Sequence, residues 1–294
     1  MKLVSAIITT HNRPKLLERA IMSVLNQTYT EIECIVVDDA SSDDTKTICN
    51  SYPIRYIRIP QDKSRGGNHA RNIGIKASNG VYCAFLDDDD YWLPEKVKKQ
   101  VDSIESNECE MVTCFRDYEY ILQDGSKKIV HTDGFPTING DMSKKILYQI
   151  YTTTSLMFVK KQALLEVGLF DENLKFWQEY ELTIRLAQRA PFYCIDESLA
   201  VYRIDVSDKN RLTNKYEEWK EAVRYVRDKH RVLYQKLNIL ERHYVTMQYL
   251  IEASGRSLAV GKNWESRLYK LLLNTIFIPG RLILAYGKFI ERYK

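Results

Sequence analysis

Four aspartates in a row, Asp87-Asp88-Asp89-Asp90, close the apolar run Cys83-Ala84-Phe85-Leu86. Asp38-Asp39 close Ile35-Val36-Val37 in the same way, and Glu179 and Glu181 stand at the start of a helical pattern further on. Adjacent carboxylates repel one another unless a cation is present, so such clusters suit a hard divalent ion. Mg²⁺ typically takes one or two carboxylates and fills its shell with phosphate oxygens and water, which adds a phosphate-bearing ligand to the expectation. A solvated acidic turn capping the next helix would use the same residues, and for one isolated quartet the two readings have equal weight. Three acidic sites, each just past a predicted strand end or at a helix start, weigh more than one. Neither glycine-rich phosphate cradle is present: the first apolar run ends in Thr9-Thr10-His11-Asn12-Arg13, and GxxxxGK[ST] is absent. A phosphate would therefore be held by metal and side chains.

Such groups need a sheet whose strand ends converge, and the first half alternates accordingly. Residues 4–10, 33–38, 54–59 and 82–86 read as apolar strands, and 14–26, 44–51, 69–78 and 94–105 as helices. Pro14 suits a first helical turn, and Leu17, Ala20, Ile21, Val24 and Leu25 recur at helical spacing. Alternating strands and helices imply right-handed crossovers and a mostly parallel sheet covered on both faces, with ligands outside the carboxyl ends of its strands. From Met111 the rhythm changes. Residues 111–115, 118–122, 128–131, 153–159, 192–195 and 200–204 read as strands, with a hairpin signal at Gln123-Asp124-Gly125-Ser126, and 161–166 and 179–189 as helices. Beyond Asp205 the pattern is helical, nearly continuous over 216–249 and resuming over 264–294.

Composition limits the setting. The 294 residues carry a net charge of +4, too little overall for a dedicated nucleic-acid binder. That sum hides an asymmetry: residues 207–294 hold 18 Lys/Arg against 9 Asp/Glu, while residues 1–206 hold 25 against 30. The six cysteines form no CxxC pair and most lie in apolar runs, which points to free thiols in a reducing cytosol. The N-terminal apolar run is too short for a signal-peptide core, and eighteen uninterrupted apolar residues occur nowhere, so a soluble or peripheral protein is expected.

Five motifs in order carry a family likeness. They are Ala6-Ile7-Ile8-Thr9-Thr10-His11-Asn12-Arg13, Ser23-Val24-Leu25-Asn26-Gln27-Thr28-Tyr29, Val36-Val37-Asp38-Asp39-Ala40-Ser41-Ser42-Asp43-Asp44-Thr45, Ala70-Arg71-Asn72-Ile73-Gly74 and Phe85-Leu86-Asp87-Asp88-Asp89-Asp90-Tyr91-Trp92. Together they resemble the family 2 inverting glycosyltransferases of the GT-A fold. A weaker likeness runs to about residue 204 through Gly168-Leu169-Phe170-Asp171-Glu172 and Gln178-Glu179-Tyr180-Glu181, then fades.

The resemblance implies an α/β GT-A domain, a Rossmann-like mostly parallel sheet flanked by helices. Residues 1–206 would form it, with a nucleotide-binding half 1–110 and an acceptor half 111–206, followed by a basic helical extension, 207–294. Thr9, His11 and Arg13 would line the nucleotide pocket, Asp39 would accept a hydrogen bond from the base, typically uracil, and Arg71 would lie near the diphosphate. Asp87-Asp88-Asp89 matches the DxD motif: Asp87 and Asp88 would approach ribose and diphosphate, and Asp89 would coordinate Mn²⁺ or Mg²⁺. Glu179 stands where the family's general base lies. The family usually has Asp there, within a Glu-Asp pair, and this chain has Gln178-Glu179.

Each role has a plainer competitor. His11 could satisfy only its turn, Asp38 and Asp90 could cap helices or support their neighbours, and Arg71 could pair with an acidic residue. Glu181 and Arg185, spaced i, i+4, could form an ordinary helix pair. Trp92 and Trp177 could stack on sugars or simply pack. A catalytically silent nucleotide-sugar binder or scaffold is the alternative, which the intact acidic sites argue against. A nucleotidyltransferase would want a Gly-rich basic loop that is absent.

The expected reaction is transfer of one sugar per encounter, since the family's processive members carry a Gln-x-x-Arg-Trp motif and membrane helices not found here. The expected partners are a UDP-sugar and a glycan or lipid-linked acceptor in bacterial surface-polysaccharide synthesis. Residues 264–294 interleave Leu268, Leu271, Ile276, Phe277, Leu282 and Phe289 with Arg267, Lys270, Arg281, Lys288, Arg292 and Lys294, split by Pro279-Gly280. Such a basic amphipathic stretch suits an anionic membrane surface, here the inner face of the plasma membrane, or packing on the domain or in a homodimer.

Overall fold

The computed structural model describes residues 1–132, 139–208 and 215–275. These fall into two compact units, one from residues within 1–143 and 150–207, the other from 144–149 and residues within 208–294.

The first unit opens with β1 (Val4–Thr10), α1 (Pro14–Leu25), β2 (Ile32–Asp39), α2 (Thr45–Asn50), β3 (Arg55–Ile59), α3 (Gly67–Ala77) and β4 (Tyr82–Asp87). Val4, Ala6, Ile7 and Ile8 are all buried, which is why β1 reads as a continuous apolar run rather than an alternation. Leu17, Ala20, Ile21 and Val24 form the buried stripe of α1. The four strands are parallel, and Thr9 is level with Val37 on one side and Asp87 on the other. That register brings the ends of β1, β2 and β4 to one edge. α3 lies close on β1: a Cβ at Gly74 would come within 2.5 Å of the Ile7 side chain.

The chain continues through β5 (Tyr91–Trp92), α4 (Lys96–Ser106), β6 (Met111–Ile121), β7 (Lys127–Val130), β8 (Phe158–Lys160), α5 (Lys161–Glu166), α6 (Gln178–Ala187) and β9 (Phe192–Asp205). Among the described residues one sheet runs β3-β2-β1-β4-β8-β6-β9-β5, with β7 on β6. Beyond β4 it is mixed: β8 is antiparallel to both neighbours, and β6 and β9 are parallel.

Several elements differ from the sequence expectation. Residues 111–121 form one strand instead of two, as do 192–205, whose register against β6 shifts around Phe115 to absorb the excess residues. The stretch 153–159 is mostly not strand. A 3₁₀ turn, Thr154–Leu156, precedes three residues of β8, because side chains take its carbonyls: Trp92 Nε1 donates to Ser155 O and Gln100 Nε2 to Leu156 O, each at 2.9 Å. β5, only two residues long, gave no pattern to read.

The second unit holds α7 (Tyr216–Lys229), α8 (Arg231–Gln235), α9 (Ile239–Ala259) and α10 (Asn263–Thr275). The expected near-continuous helix over 216–249 is broken around His230 and again before α9. There Asn238 and Glu241 form a reciprocal capping box that starts a new helix. Trp219, fully buried, stacks between Tyr216 and Tyr249. Residues 276–294, including Pro279-Gly280 and the last four basic residues, lie outside the described residues. Among the described residues no helix is long and apolar enough to cross a membrane, and all six cysteines are free.

Candidate active site

The loop after β1 is held in a left-handed turn at Asn12, φ +54°. His11 Nδ1 lies 2.6 Å from the Asp39 carbonyl oxygen, which only accepts, so the proton belongs on Nδ1. Asn12 Nδ2 then donates to Nε2. Arg13 extends from this loop to the acidic turn, its Nη1 donating to Asp89 Oδ2 at 2.9 Å and to Asp88 Oδ1 at 3.2 Å.

The two aspartates ending β2 have separate fates. Asp38 is fully buried and structural, accepting from Ser41 N–H, Tyr56 OH and Arg58. Asp39 accepts from Gly66 N–H at 2.9 Å through Oδ2, while its Oδ1 is buried without a hydrogen-bond partner among the described residues. Ala40 follows at φ +64°, a strained conformation for an alanine. An orphaned buried carboxylate oxygen is costly, and a ligand donor would relieve it.

The acidic turn follows β4. Asp87 accepts from Arg71 Nη2 at 2.7 Å, and Asp88 accepts from Thr10 Oγ1 at 2.7 Å. Burial, then the Asp89 charge, push the Asp88 carboxyl up to about 6. Burial and the Asp87 charge also raise Asp89, whose backbone carbonyl is fixed by Arg19 Nη2 at 2.8 Å. Asp90 faces inward. It accepts from Ser155 Oγ and from Arg203 N–H, and burial raises it well above the usual carboxylate range. It supports the turn from behind, as does Trp92, which is buried in packing and so leaves no face for a sugar. The Ser23–Tyr29 motif clamps the far side: Gln27 donates to Leu93 O and accepts from Val97 N–H.

α6 is preceded by Trp177, held at φ +56°, a real outlier for so bulky a residue. Trp177 meets Tyr180 edge to face at 5.1 Å. Gln178 Oε1 accepts from Arg71 Nη1 at 2.7 Å. Arg71, almost wholly buried, thus joins the start of α6 to Asp87. The next residue, Glu179, is partly buried and has its carboxyl pushed up by desolvation and the Asp87 charge, opposed by its own N–H, Arg71 and Arg116. Glu181 is not part of this group. Its fully buried carboxylate pairs with Arg185 at 2.6 Å, and Arg185 also donates to Leu169 O.

Arg13 thus bridges Asp88 and Asp89, while Arg71 joins the neighbouring Asp87 to Gln178 beside Glu179. His11 and Asp39 form an adjoining pair through the His11 ring, and Thr9 sits between Val37 and Asp87 in the sheet. Sequence reasoning missed Arg19, Arg116, Ser155 and Arg203. Arg116 donates to Thr153 Oγ1 at 2.8 Å and lies over the rings of Tyr118 and Tyr202, both at 5.1 Å. None of the four stands in a motif, so a spacing argument had nothing to find.

Among the described residues no three His, Cys, Asp or Glu side chains converge as a metal cage. The acidic turn nonetheless already accommodates a cation, the Arg13 guanidinium, between two carboxylates. All-oxygen donors, few in number, match an ion that completes its shell with phosphate and water, so the residues fit Mg²⁺ or Mn²⁺.

The strand ends of this half-parallel α/β sheet carry an acidic turn and an orphaned acceptor, an arrangement suited to a nucleotide-bearing ligand. The family profile described as glycosyl transferase family 2 matches residues 5–173. An uncharacterized glycosyltransferase of Rickettsia prowazekii is 31% identical over 232 residues, covering 74% of this chain and 70% of that one. The Escherichia coli UDP-Glc:alpha-D-GlcNAc-diphosphoundecaprenol beta-1,3-glucosyltransferase WfaP is 41% identical over 107 residues, 36% of this chain and 43% of that protein. The solved mannosyltransferase PcManGT of Pyrobaculum calidifontis, in complex with GDP-Man and Mn²⁺, has a TM-score of 0.61 at 15% identity, covering 100% of this chain and 81% of that one. The chain belongs to glycosyl transferase family 2 and is a glycosyltransferase.

Proposed function

We propose that this enzyme moves one sugar from a UDP-sugar to a hydroxyl of a glycan or lipid-linked acceptor, with inversion at the anomeric carbon. The observation that carries the proposal is Glu179, a carboxylate of raised pKa set beside the Arg71–Asp87 pair. Glu179 takes the acceptor hydroxyl proton as that oxygen bonds to the anomeric carbon and the bond to the diphosphate breaks. Asp39 Oδ1 accepts the base N–H of the nucleotide, which gives its buried oxygen a partner. Thr9 and His11 line the same pocket, Asp87 and Asp88 approach ribose and diphosphate, and Arg71 orients Asp87. Asp89 holds the divalent ion, which when bound supplies Lewis-acid neutralisation of charge on the leaving diphosphate. The UDP donor and the diphosphate-lipid acceptor class are supported by the activity that names the E. coli relative.

The acceptor would be met at the inner face of the plasma membrane. On α10, Trp264, Leu268 and Leu271 are exposed at helical spacing with Arg267 and Lys270 between them, a basic amphipathic face suited to anionic lipid. Flotation with anionic liposomes tests this, and binding equal to that on neutral liposomes, or none, counts against it. The transfer itself is tested by incubating the full chain with a panel of UDP- and GDP-sugars and measuring nucleoside diphosphate release. Slow, metal-dependent release of UDP from one donor is expected; release only from GDP-sugars, or from none, contradicts the proposal.

A further inference from the structure

Arg13 occupies the cation position of the acidic turn. Its Nη1 bridges Asp89 Oδ2 at 2.9 Å and Asp88 Oδ1 at 3.2 Å. A divalent ion on Asp89 and a guanidinium on the same oxygen repel each other, so they compete for it.

The rest of the turn does not depend on Arg13. Arg19 holds the Asp89 carbonyl, Thr10 holds Asp88 Oδ2, and Ser155 with Arg203 N–H holds Asp90. At the start of α1 the Arg13 side chain makes no cap bond, and its backbone carbonyl accepts from Leu17 N–H. Its side chain is 45% exposed, so the pair is screened and displaceable. The bridge can therefore open without rebuilding the site.

We infer that Arg13 is a built-in counter-ion that makes metal and nucleotide diphosphate bind as a unit. This rests on the proposed metal role of Asp89. In the absence of nucleotide, Arg13 neutralises Asp88 and Asp89 and keeps metal affinity low. A nucleoside diphosphate offers Arg13 another anion and offers the metal phosphate oxygens, so each ligand raises the affinity of the other. The coupling is reciprocal, as binding free energies require. Arg13 thus serves the carboxylates first and the phosphates second.

The test is Mn²⁺ binding to the full chain, read from the electron paramagnetic resonance signal of free Mn²⁺, with and without UDP, for wild type, Arg13→Gln, Arg13→Lys and Asp89→Asn. Thermal unfolding confirms that each variant is folded. Without UDP, Arg13→Gln should bind Mn²⁺ about tenfold more tightly than wild type, while Arg13→Lys, which keeps the charge, stays near wild type. UDP should then tighten Mn²⁺ binding less in Arg13→Gln than in wild type. Equal or weaker Mn²⁺ binding by Arg13→Gln without UDP overturns the inference and leaves the metal site standing. Unchanged Mn²⁺ binding by Asp89→Asn in the presence of UDP removes the metal reading itself.

Discussion

Arg71 and Gln178 are joined by a 2.7 Å hydrogen bond across 107 residues of sequence, and the same guanidinium donates to Asp87 at 2.7 Å. One buried side chain thus sets the distance between the acidic turn and the start of the helix that carries Glu179. A planar fork reaching two acceptors at once is a task for arginine that lysine cannot repeat. Arg71→Lys should lower kcat by about tenfold or more, since a misplacement near 1 Å at a reacting group costs on the order of a hundredfold. Steady-state kinetics check this, with unchanged kcat contradicting the positioning role.

Asp39 Oδ1 is buried without a hydrogen-bond partner among the described residues. Asp39→Asn keeps the size but turns one acceptor into a donor, so either Gly66 N–H or the base loses its bond. Losing a hydrogen bond to a charged group in a buried site costs about 1.5–3 kcal/mol, or roughly a 10- to 150-fold loss of UDP affinity. Calorimetric titration with UDP measures it.

The raised Glu179 carboxyl has two consequences of opposite sign. As a base it works only when ionised, so transfer should rise with pH through a value above the ordinary 4.5 and level off beyond it. For stability, a folded-state pKa raised by burial is favourable below the unfolded value and becomes a penalty as pH rises through the folded one. Glu179→Gln, which cannot ionise, should therefore unfold at a higher temperature than wild type at neutral pH, and the gap should close on acidification below 4.5. Thermal unfolding across pH follows both limbs.

Gly74 closes the Ala70–Gly74 motif that carries part of the family likeness, and its position is decided by packing. A Cβ there would meet Ile7 Cγ2 at 2.5 Å and Val37 Cγ2 at 3.3 Å. Gly74→Ala should cost about 1–3 kcal/mol through overpacking, visible in denaturant unfolding.

The strand ends and their carboxylates were legible because the signal is local: an apolar run, then acidic residues, places the acids at the edge of a sheet. The identity of the pairs was not. Nothing in the spacing says that Arg13 reaches Asp89 or that Arg71 reaches Gln178, because those contacts depend on which loops fold back over which strand. Glu181 was separable in principle, since Arg185 stands one helical turn away and takes it out of the site. The 154–156 segment misled, because its β-branched and apolar residues read as strand while Trp92 and Gln100 claim its carbonyls.

Glu179 is the proposed base of a transfer whose nucleotide is held by other residues. Calorimetric titration of Glu179→Gln with UDP and Mn²⁺, paired with transfer kinetics at saturating donor, separates the two. UDP affinity should stay within about twofold of wild type while turnover falls by roughly 10²–10⁴, the usual contribution of a general base. Turnover near the wild-type rate in Glu179→Gln would contradict the assignment.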